Sequence, residues 1–242
     1  MTDSHPAKKA VVAPIIAIDG PAGAGKSTIA RHLARHFGLL NLETGAMYRA
    51  FALKALRAHV PLDHGEALSA LASQTTIGLE AGDLEAGDQE NRVYLDGQDV
   101  TALLRTQAVT DAASKVSVFP AIRSWMVRLQ QEMGAAGGVV MEGRDIGTVV
   151  FPHAEVKIFL DAAPEVRGLR RFDQLGPGTT AQPDEVIREL RERDTRDRNR
   201  ADSPLKPAPD AVVLDSTRMT LEEAVQRAEE IVEERLSALK NS

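Results

Sequence analysis

Apolar and polar positions along this chain follow two alternating patterns. Short apolar runs predict five buried parallel strands, at Ile15–Asp19, Leu39–Leu42, Gly138–Glu142, Val156–Leu160 and Asp210–Asp215. Apolar residues at three- and four-residue spacing predict helices at Lys26–Phe37, Ala46–Ala58, Ala121–Met133, Pro164–Phe172, Asp184–Asn199 and Leu221–Leu239. Strands that alternate with helices predict an α/β fold with a doubly wound parallel sheet. In such a fold, ligands bind beyond the carboxyl ends of the strands.

The pattern changes between residues 61 and 119. Thr76–Glu80 and Arg92–Val100 predict short strands, and the second is expected to fold back at a hairpin turn, Asp96-Gly97. The acidic, glycine-rich stretch between these strands predicts a surface loop. We interpret the whole section as an inserted subdomain.

Composition and charge narrow the functional classes. The 242 residues are 43% hydrophobic and carry a formal charge of −6, which argues against nucleic-acid or membrane-surface partners. No apolar run approaches the ~20 residues of a membrane span. Cysteine is absent, which fits a reducing compartment. We expect a cytoplasmic monomer whose residues 1–13 form a flexible tail.

One glycine-rich turn indicates phosphate chemistry. Residues 20–27 fit G-x-x-x-x-G-K-[ST] between a predicted strand and a predicted helix. Backbone N–H groups of such a loop wrap phosphate, the lysine reaches the β- and γ-phosphates, and the Ser27 hydroxyl is placed to bind Mg²⁺. The residues predicted to hold the nucleotide are Gly20, Pro21, Ala22, Gly23, Ala24, Gly25, Lys26, Ser27 and Thr28.

The loop alone leaves the class of phosphate-loop protein open. A GTPase would need an N/T-K-x-D stretch, and none occurs. Val139–Glu142 looks like a Walker B strand, which would suit an ATPase. The alternative is a small-molecule kinase, which needs a second binding site for its acceptor.

Three segments could form that second site. Leu42–Ala50 offers a hydroxyl, an aromatic ring and an arginine, although it could be a capped surface helix. Met141–Pro152 holds an Arg-Asp pair directly after a core strand, where a structural ion pair is the alternative. Six arginines lie between Arg188 and Arg200, with four acids and no lysine. A solvated salt-bridged helix would explain that alternation, but arginine in this excess suits phosphate recognition.

These segments, taken together, resemble those of bacterial cytidylate kinases, in the nucleoside monophosphate kinase superfamily. The resemblance rests on the phosphate loop, LETGAMYR, EGRDIGTVVFP, ERDTRDRNR and VVLDST in this order, and it covers nearly the whole chain after the tail. It implies transfer of the ATP γ-phosphoryl group to CMP or dCMP, with Mg²⁺. It also implies a core (14–45, 120–163, 206–242), a monophosphate-binding insert (46–119) and a mobile arginine-rich lid (164–205). Glu43 stands where the family usually has aspartate.

The resemblance also implies roles for individual residues. It assigns acceptor binding to Thr44, Tyr48 and Arg49, base recognition to Ser114, Arg123 and Asp145, ribose binding to Arg193 and Asp197, and phosphate contacts to Arg144 and Arg200, with Arg170 closing from the lid. The implied catalytic groups are Lys26, Arg144, Arg170 and Arg200.

The chemistry of cytosine agrees with this base site. Cytosine presents an amine donor beside two acceptors, so a carboxylate and an arginine match it, whereas uracil would turn an oxygen toward Asp145. Two alternatives stay open at this point: a kinase for UMP or for a non-nucleotide acceptor, and a regulatory module that binds nucleotide without turnover.

Overall fold

The computed structural model describes residues 13–80, 91–176 and 181–241. In chain order its elements are β1 (Ala13–Asp19), α1 (Lys26–Phe37), β2 (Leu40–Glu43), α2 (Thr44–Arg57), α3 (Gly65–Ala72), β3 (Ile77–Glu80), β4 (Arg92–Leu95), β5 (Gln98–Asp99), α4 (Gln107–Val116), α5 (Pro120–Gly134), β6 (Gly137–Gly143), β7 (Val156–Asp161), α6 (Pro164–Leu175), α7 (Pro183–Arg198), β8 (Val212–Asp215) and α8 (Leu221–Lys240). A 3-10 turn at Thr101–Leu103 and a π-helical turn at Ile146–Val150 complete them.

Five parallel strands form the central sheet, in the order β2-β6-β1-β7-β8. The chain leaves β1 toward β2 on one side and leaves β7 toward β8 on the other. A crevice therefore opens beyond the carboxyl ends of β1 and β7, where open α/β sheets bind ligands. The predicted α/β class with a parallel sheet is confirmed.

Apolar layers cover both faces of this sheet. Ile16 and Ile18 of β1 pack with the apolar faces of α1 and α8. Ala17, between them, points to the other face, where Val127 of α5 and the π-helical turn cover the sheet. Because β1 is buried on both faces, its sequence is a continuous apolar run rather than an alternating one.

The inserted section adds a three-stranded antiparallel sheet, β3-β4-β5. Asp96 and Gly97 both have positive φ angles, 50° and 81°, so the predicted hairpin turn is present. Apolar residues of this section share one core with Phe51 of α2 and with Ile122 and Met126 of α5. The acceptor-binding residues predicted on α2, α4 and α5 are therefore held by one packed unit.

Several bounds differ from those predicted. Helix α2 begins at Thr44 rather than Ala46, and α3, α4 and the π-helical turn were not predicted. Ala13, assigned to the tail, is the first residue of β1. The rest of the predicted tail, most of the acidic loop (81–90) and the lid loop at 177–180 lie outside the described residues. Among the described residues, no helix is both long and apolar enough to cross a membrane.

Candidate active site

The phosphate loop joins β1 to α1 in the crevice of the sheet. Gly20 has a φ of 150°, and a Cβ atom there would lie 1.9 Å from the carbonyl oxygen of Leu160. Only glycine lets the loop pass this close to β7. Gly25 caps α1 in the left-handed region, and the Lys26 ammonium donates back across the loop to the Pro21 carbonyl at 2.8 Å.

Lys26 lies in an excess of positive charge. Burial lowers the pKa of its ammonium, and the nearby Arg144 and Arg193 guanidinium groups lower it further. The carboxylates of Glu142 and Asp19 offset this only in part. An anion bound here would remove the repulsion, so the electrostatics of the loop favour a phosphate ligand.

Glu142, near the end of β6, places a carboxylate beside Lys26 and Ser27 of this loop. Burial raises the pKa of Glu142, and the neighbouring Glu43 raises it further, whereas Lys26 and the adjacent Ser27 hydroxyl lower it. Its Oε1 atom is buried without a hydrogen-bond partner in the described part of the chain. An unpartnered carboxylate oxygen beside a hydroxyl is a suitable donor set for Mg²⁺, which prefers oxygen ligands.

Asp19 fixes the turn that follows β6. Its two carboxylate oxygens accept hydrogen bonds from the backbone N–H groups of Ile146 and Gly147, each at 2.7 Å. Burial nevertheless raises the pKa of Asp19 to about 6. The π-helical turn starts at this anchor, so Asp19 positions the Arg144-Asp145 pair. In the sequence, Asp19 is recognisable only as the end of a predicted strand.

Asp145 forms a buried ion pair with Arg123, which reaches it from α5. Both side chains are less than one tenth exposed. Tyr48 lies close by: burial raises the pKa of its phenol to about 12, and the charges of Arg123 and Asp145 act on it. The structure therefore brings three predicted acceptor residues together.

Asp197 joins two of the predicted phosphate-binding arginines. One of its oxygens accepts from Arg144 Nε at 2.8 Å, and the other lies 3.6 Å from a terminal nitrogen of Arg200. Burial raises the pKa of Asp197, but the charges of Arg144, Arg200 and Arg193 and the hydrogen bond from Arg144 outweigh it, so the pKa lies below its usual range. Asp197 thus ties the start of the Arg144-Asp145 turn to the end of α7.

Arg193 has a different environment. No hydrogen bond or ion pair with a described residue engages its guanidinium. The pKa of Arg193 is lowered to about 10, mainly by burial and also by the charges of Arg144, Arg49 and Arg196. The carboxylate of Asp197 acts in the opposite direction and raises it. The structure thus places Arg193 among the positive groups of the site, and its predicted ribose contact stays a prediction.

The start of α2 carries the remaining acceptor residues. The Thr44 hydroxyl donates to the Glu142 carbonyl at 2.7 Å, which holds α2 against β6. The Arg49 guanidinium pairs with Glu43, the residue that departs from the family pattern. The Glu43 carboxylate, just before α2, is therefore bound to an arginine on the second turn of that helix.

Two arginines of α6 differ in position. The predicted catalytic Arg170 donates to the Ser216 and Met219 carbonyls, at 2.9 and 3.4 Å, and shares no bonding partner with Arg144 or Arg200 among the described residues. Arg167, one turn earlier, donates to the Ala22 carbonyl of the phosphate loop at 2.9 Å. The contact between Arg167 and the loop was not predicted, because it joins residues 145 positions apart.

The helix α7 also reaches the insert. Arg196 donates to the hydroxyl of the predicted base-binding Ser114 at 3.3 Å. Arg167 is tied to the same helix by Asp194, at 2.5 Å. A cavity of about 610 Å³ lies between α6, α7 and the ends of β7 and β8, and Arg167 and Asp194 are among the residues that line it. Its volume is typical of small-molecule sites.

Three arginines of the site keep an unused donor. The Nε atoms of Arg49, Arg123 and Arg200 are buried without a hydrogen-bond partner among the described residues. Buried donors of this kind are costly unless a ligand satisfies them. The arrangement therefore indicates an acceptor that carries phosphate and further polar groups.

A kinase needs a binding site for its acceptor in addition to the phosphate loop, whereas the second substrate of an ATPase is water. The fold and the site together define the class of this protein as a phosphate-loop kinase.

Comparison with known proteins identifies the family. The cytidylate kinase family model matches residues 16–234. A cytidylate kinase from Pelotomaculum thermopropionicum is 50% identical over 88% of this chain and 93% of its own length. One from Pasteurella multocida is 46% identical over 92% of this chain and 96% of its own. The chain therefore belongs to the cytidylate kinase family of nucleoside monophosphate kinases.

Among solved structures, a shikimate kinase from Acinetobacter baumannii in complex with shikimate matches with a TM-score of 0.43. It is 16% identical over 93% of this chain and 94% of that one. A likeness at this level adds nothing to the family assignment.

Proposed function

We propose that this chain transfers the γ-phosphoryl group of ATP to CMP or dCMP, giving ADP and CDP or dCDP. One observation carries the proposal: the buried Lys26 of the phosphate loop shares its positive field with Arg144, whose neighbour in sequence, Asp145, is paired with Arg123. In this proposal, a residue that binds phosphate, Arg144, and a residue that recognises the base, Asp145, are neighbours in one turn. A cytoplasmic location and a monomeric state stay predictions.

The acceptor base is read by Asp145 in this proposal. Its carboxylate accepts from the exocyclic amine of cytosine, while Arg123 and the Ser114 hydroxyl face the acceptor atoms of the ring. Tyr48 lies against the same pair, where its ring can cover the base. Thr44 and Arg49 bind the acceptor from the start of α2, with Arg49 on the phosphate.

Catalysis rests on alignment and charge rather than on a general base. Phosphoryl transfer passes through a loose transition state, in which charge spreads over the moving group. Lys26, Arg144, Arg193 and Arg200 supply positive charge around it. Among these cations, Arg193 is the one whose guanidinium makes no hydrogen bond or ion pair with a described residue, so it can bind phosphate without breaking such a contact. Asp197 holds Arg144 and Arg200 in place through its two carboxylate oxygens. When these arginines bind phosphate instead, the freed carboxylate can accept hydrogen bonds from the ribose hydroxyls.

The donor nucleotide lies along the phosphate loop, residues 20–28. The 610 Å³ cavity beside Arg167 has room for its nucleoside. Arg170 stands at the edge of this region, bonded to the loop after β8. Its closure onto the phosphates, and the mobility of the lid, stay predictions.

Mg²⁺ fits the residues beside this loop. Ser27 and the unpartnered oxygen of Glu142 would hold it, directly or through water. Mg²⁺ held there would supply positive charge to offset that of the phosphates. Glu43 lies close enough to add to the same negative field.

Glu142→Gln should weaken the response to Mg²⁺. The amide keeps the size of the side chain but removes the charge, so we expect the Mg²⁺ concentration for half-maximal rate to rise by ~10–100-fold. Folding should be unaffected, because burial already disfavours the carboxylate. Turnover is measured at fixed ATP over a Mg²⁺ series. Glu80→Gln, on β3, is the control; equal Mg²⁺ curves for the two variants would remove Glu142 from the metal site.

A panel of acceptors tests the function itself. The protein is incubated with ATP and Mg²⁺ and with CMP, dCMP, UMP or AMP, or without acceptor, and ADP release is followed. We expect release with CMP and dCMP only. Equal rates with UMP would indicate a broader pyrimidine kinase, release without acceptor an ATPase, and no release at all a binding module.

A further inference from the structure

A cluster of two histidines and a glutamate lies on the sheet face covered by α1 and α8, apart from the nucleotide site. His32 and His36 are four residues apart on α1, so their rings project from one side of the helix. Glu229 of α8 faces both: its Oε1 atom contacts His32 Nε2 and lies 3.0 Å from His36 Nδ1. The three ligand atoms lie within 4.8 Å of one another.

We propose that His32, His36 and Glu229 form a binding site for a divalent transition metal, with Zn²⁺ as its first occupant. Two imidazoles and a carboxylate are a donor set that Zn²⁺ takes in proteins, with bonds of about 2.0–2.2 Å. Such bonds separate tetrahedral ligands by roughly 3.3 Å. The present spacing therefore needs only small movements of the side chains to admit the ion.

The surroundings of the cluster leave room for a fourth ligand. Glu233, one turn after Glu229, is mostly exposed and places a carboxylate oxygen 4.0 Å from His36 Nε2, the ring nitrogen that would not bind the ion, where it can orient the ring. His36 is about two-fifths exposed, so water can also reach the ion. One group opposes binding: the Arg35 guanidinium lies 3.5 Å from His32 Nδ1. That arginine is exposed and can turn to solvent at little cost.

The ion would fasten α1 to α8. Helix α1 begins at Lys26 and Ser27, and His32 lies about 9 Å further along its axis. A cation near the end of α1 also interacts favourably with the negative end of the helix dipole. The site therefore acts on the helix that carries the phosphate loop, but through a contact that touches neither nucleotide.

Zinc binding to the untagged full chain tests this site. Protein freed of metal with a chelator is titrated with ZnCl₂ by calorimetry, without nucleotide and with excess Mg²⁺ to fill the phosphate-loop site. We expect one Zn²⁺ per chain for the wild type and for the control His153→Ala, a histidine exposed on another face. His32→Ala and His36→Ala should weaken binding by at least ~100-fold.

Glu229→Gln guards against a folding artefact. It keeps a hydrogen-bond acceptor for the two histidines and removes the charge, so it should fold normally and still weaken Zn²⁺ binding. A saturating excess of Zn²⁺ should raise the Tm of the wild type by roughly 5–10 °C and leave that of Glu229→Gln unchanged. No uptake by the wild type, or wild-type affinity for Zn²⁺ in both His32→Ala and Glu229→Gln, would overturn the proposal and leave a simple His–Glu hydrogen-bond cluster.

Discussion

Lys26→Met should abolish phosphoryl transfer without unfolding the protein. Methionine keeps the apolar stem of the side chain and removes the ammonium that would meet the β- and γ-phosphates. Losing one such cation from a phosphoryl-transfer site costs ~10³-fold or more in kcat. Both kcat and the Tm without nucleotide should be measured.

The stability of Lys26→Met should equal or exceed that of the wild type because of the environment of Lys26. Burial and the charges of Arg144 and Arg193 lower the pKa of Lys26, so the folded state disfavours its charged form. At pH 7 this contribution is destabilising, because the unfolded lysine holds its proton more firmly. The Tm should therefore stay level or rise, apart from the lost hydrogen bond to Pro21.

Lys54→Met is the matched control. Lys54 pairs with Asp96 in the insert at 2.8 Å and makes no contact with the phosphate loop. Its replacement should leave kcat near the wild-type value. If Lys26→Met turned over within ~10-fold of the wild type, the assignment of the phosphate loop as donor site would be wrong.

Asp145→Asn should erase most of the preference for CMP over UMP. Uracil presents an oxygen where cytosine presents its amine, so a carboxylate repels uracil, whereas the asparagine amide can donate to it. Sites built around a buried hydrogen-bonding group discriminate by up to 10⁴–10⁵. We expect the ratio of kcat/KM for CMP over UMP to fall by at least ~10²-fold.

The choice of asparagine follows from the Arg123 contact. Alanine would leave Arg123 buried without its partner, which typically costs 3–5 kcal/mol and could unfold the site. Asparagine keeps an oxygen for that guanidinium. Asp96→Asn, in the insert hairpin, serves as the control and should not change the ratio. An unchanged ratio in Asp145→Asn would remove Asp145 from base recognition.

The strands of the fold could be predicted because the central ones are buried on both faces. The run Gly138–Glu142 is apolar up to its last residue, and the structure extends it by a single residue at each end. The start of α2 could not be predicted, since the bond from Thr44 to the Glu142 carbonyl spans 98 positions. Helix α4 did carry a signal, with Val109, Ala112 and Val116 on one buried side.

The site shows the same division. Motifs mark the residues that we propose to contact ligand, so the phosphate loop and the Arg144-Asp145 turn could be named from the sequence. The residues that hold those groups carry no local signal. Asp19 acts on backbone N–H groups 127 and 128 positions away, and Arg167 acts on the carbonyl of Ala22. Only the folded sheet brings these partners together.

Counting both products of one reaction tests the central claim most directly. The protein is incubated with ATP, Mg²⁺ and CMP, and ADP and CDP are quantified together over the time course. Direct transfer from the donor loop to the acceptor site predicts one CDP for each ADP, with little ADP when CMP is omitted. ADP that accumulates without CDP would contradict the account, because water would then be the acceptor.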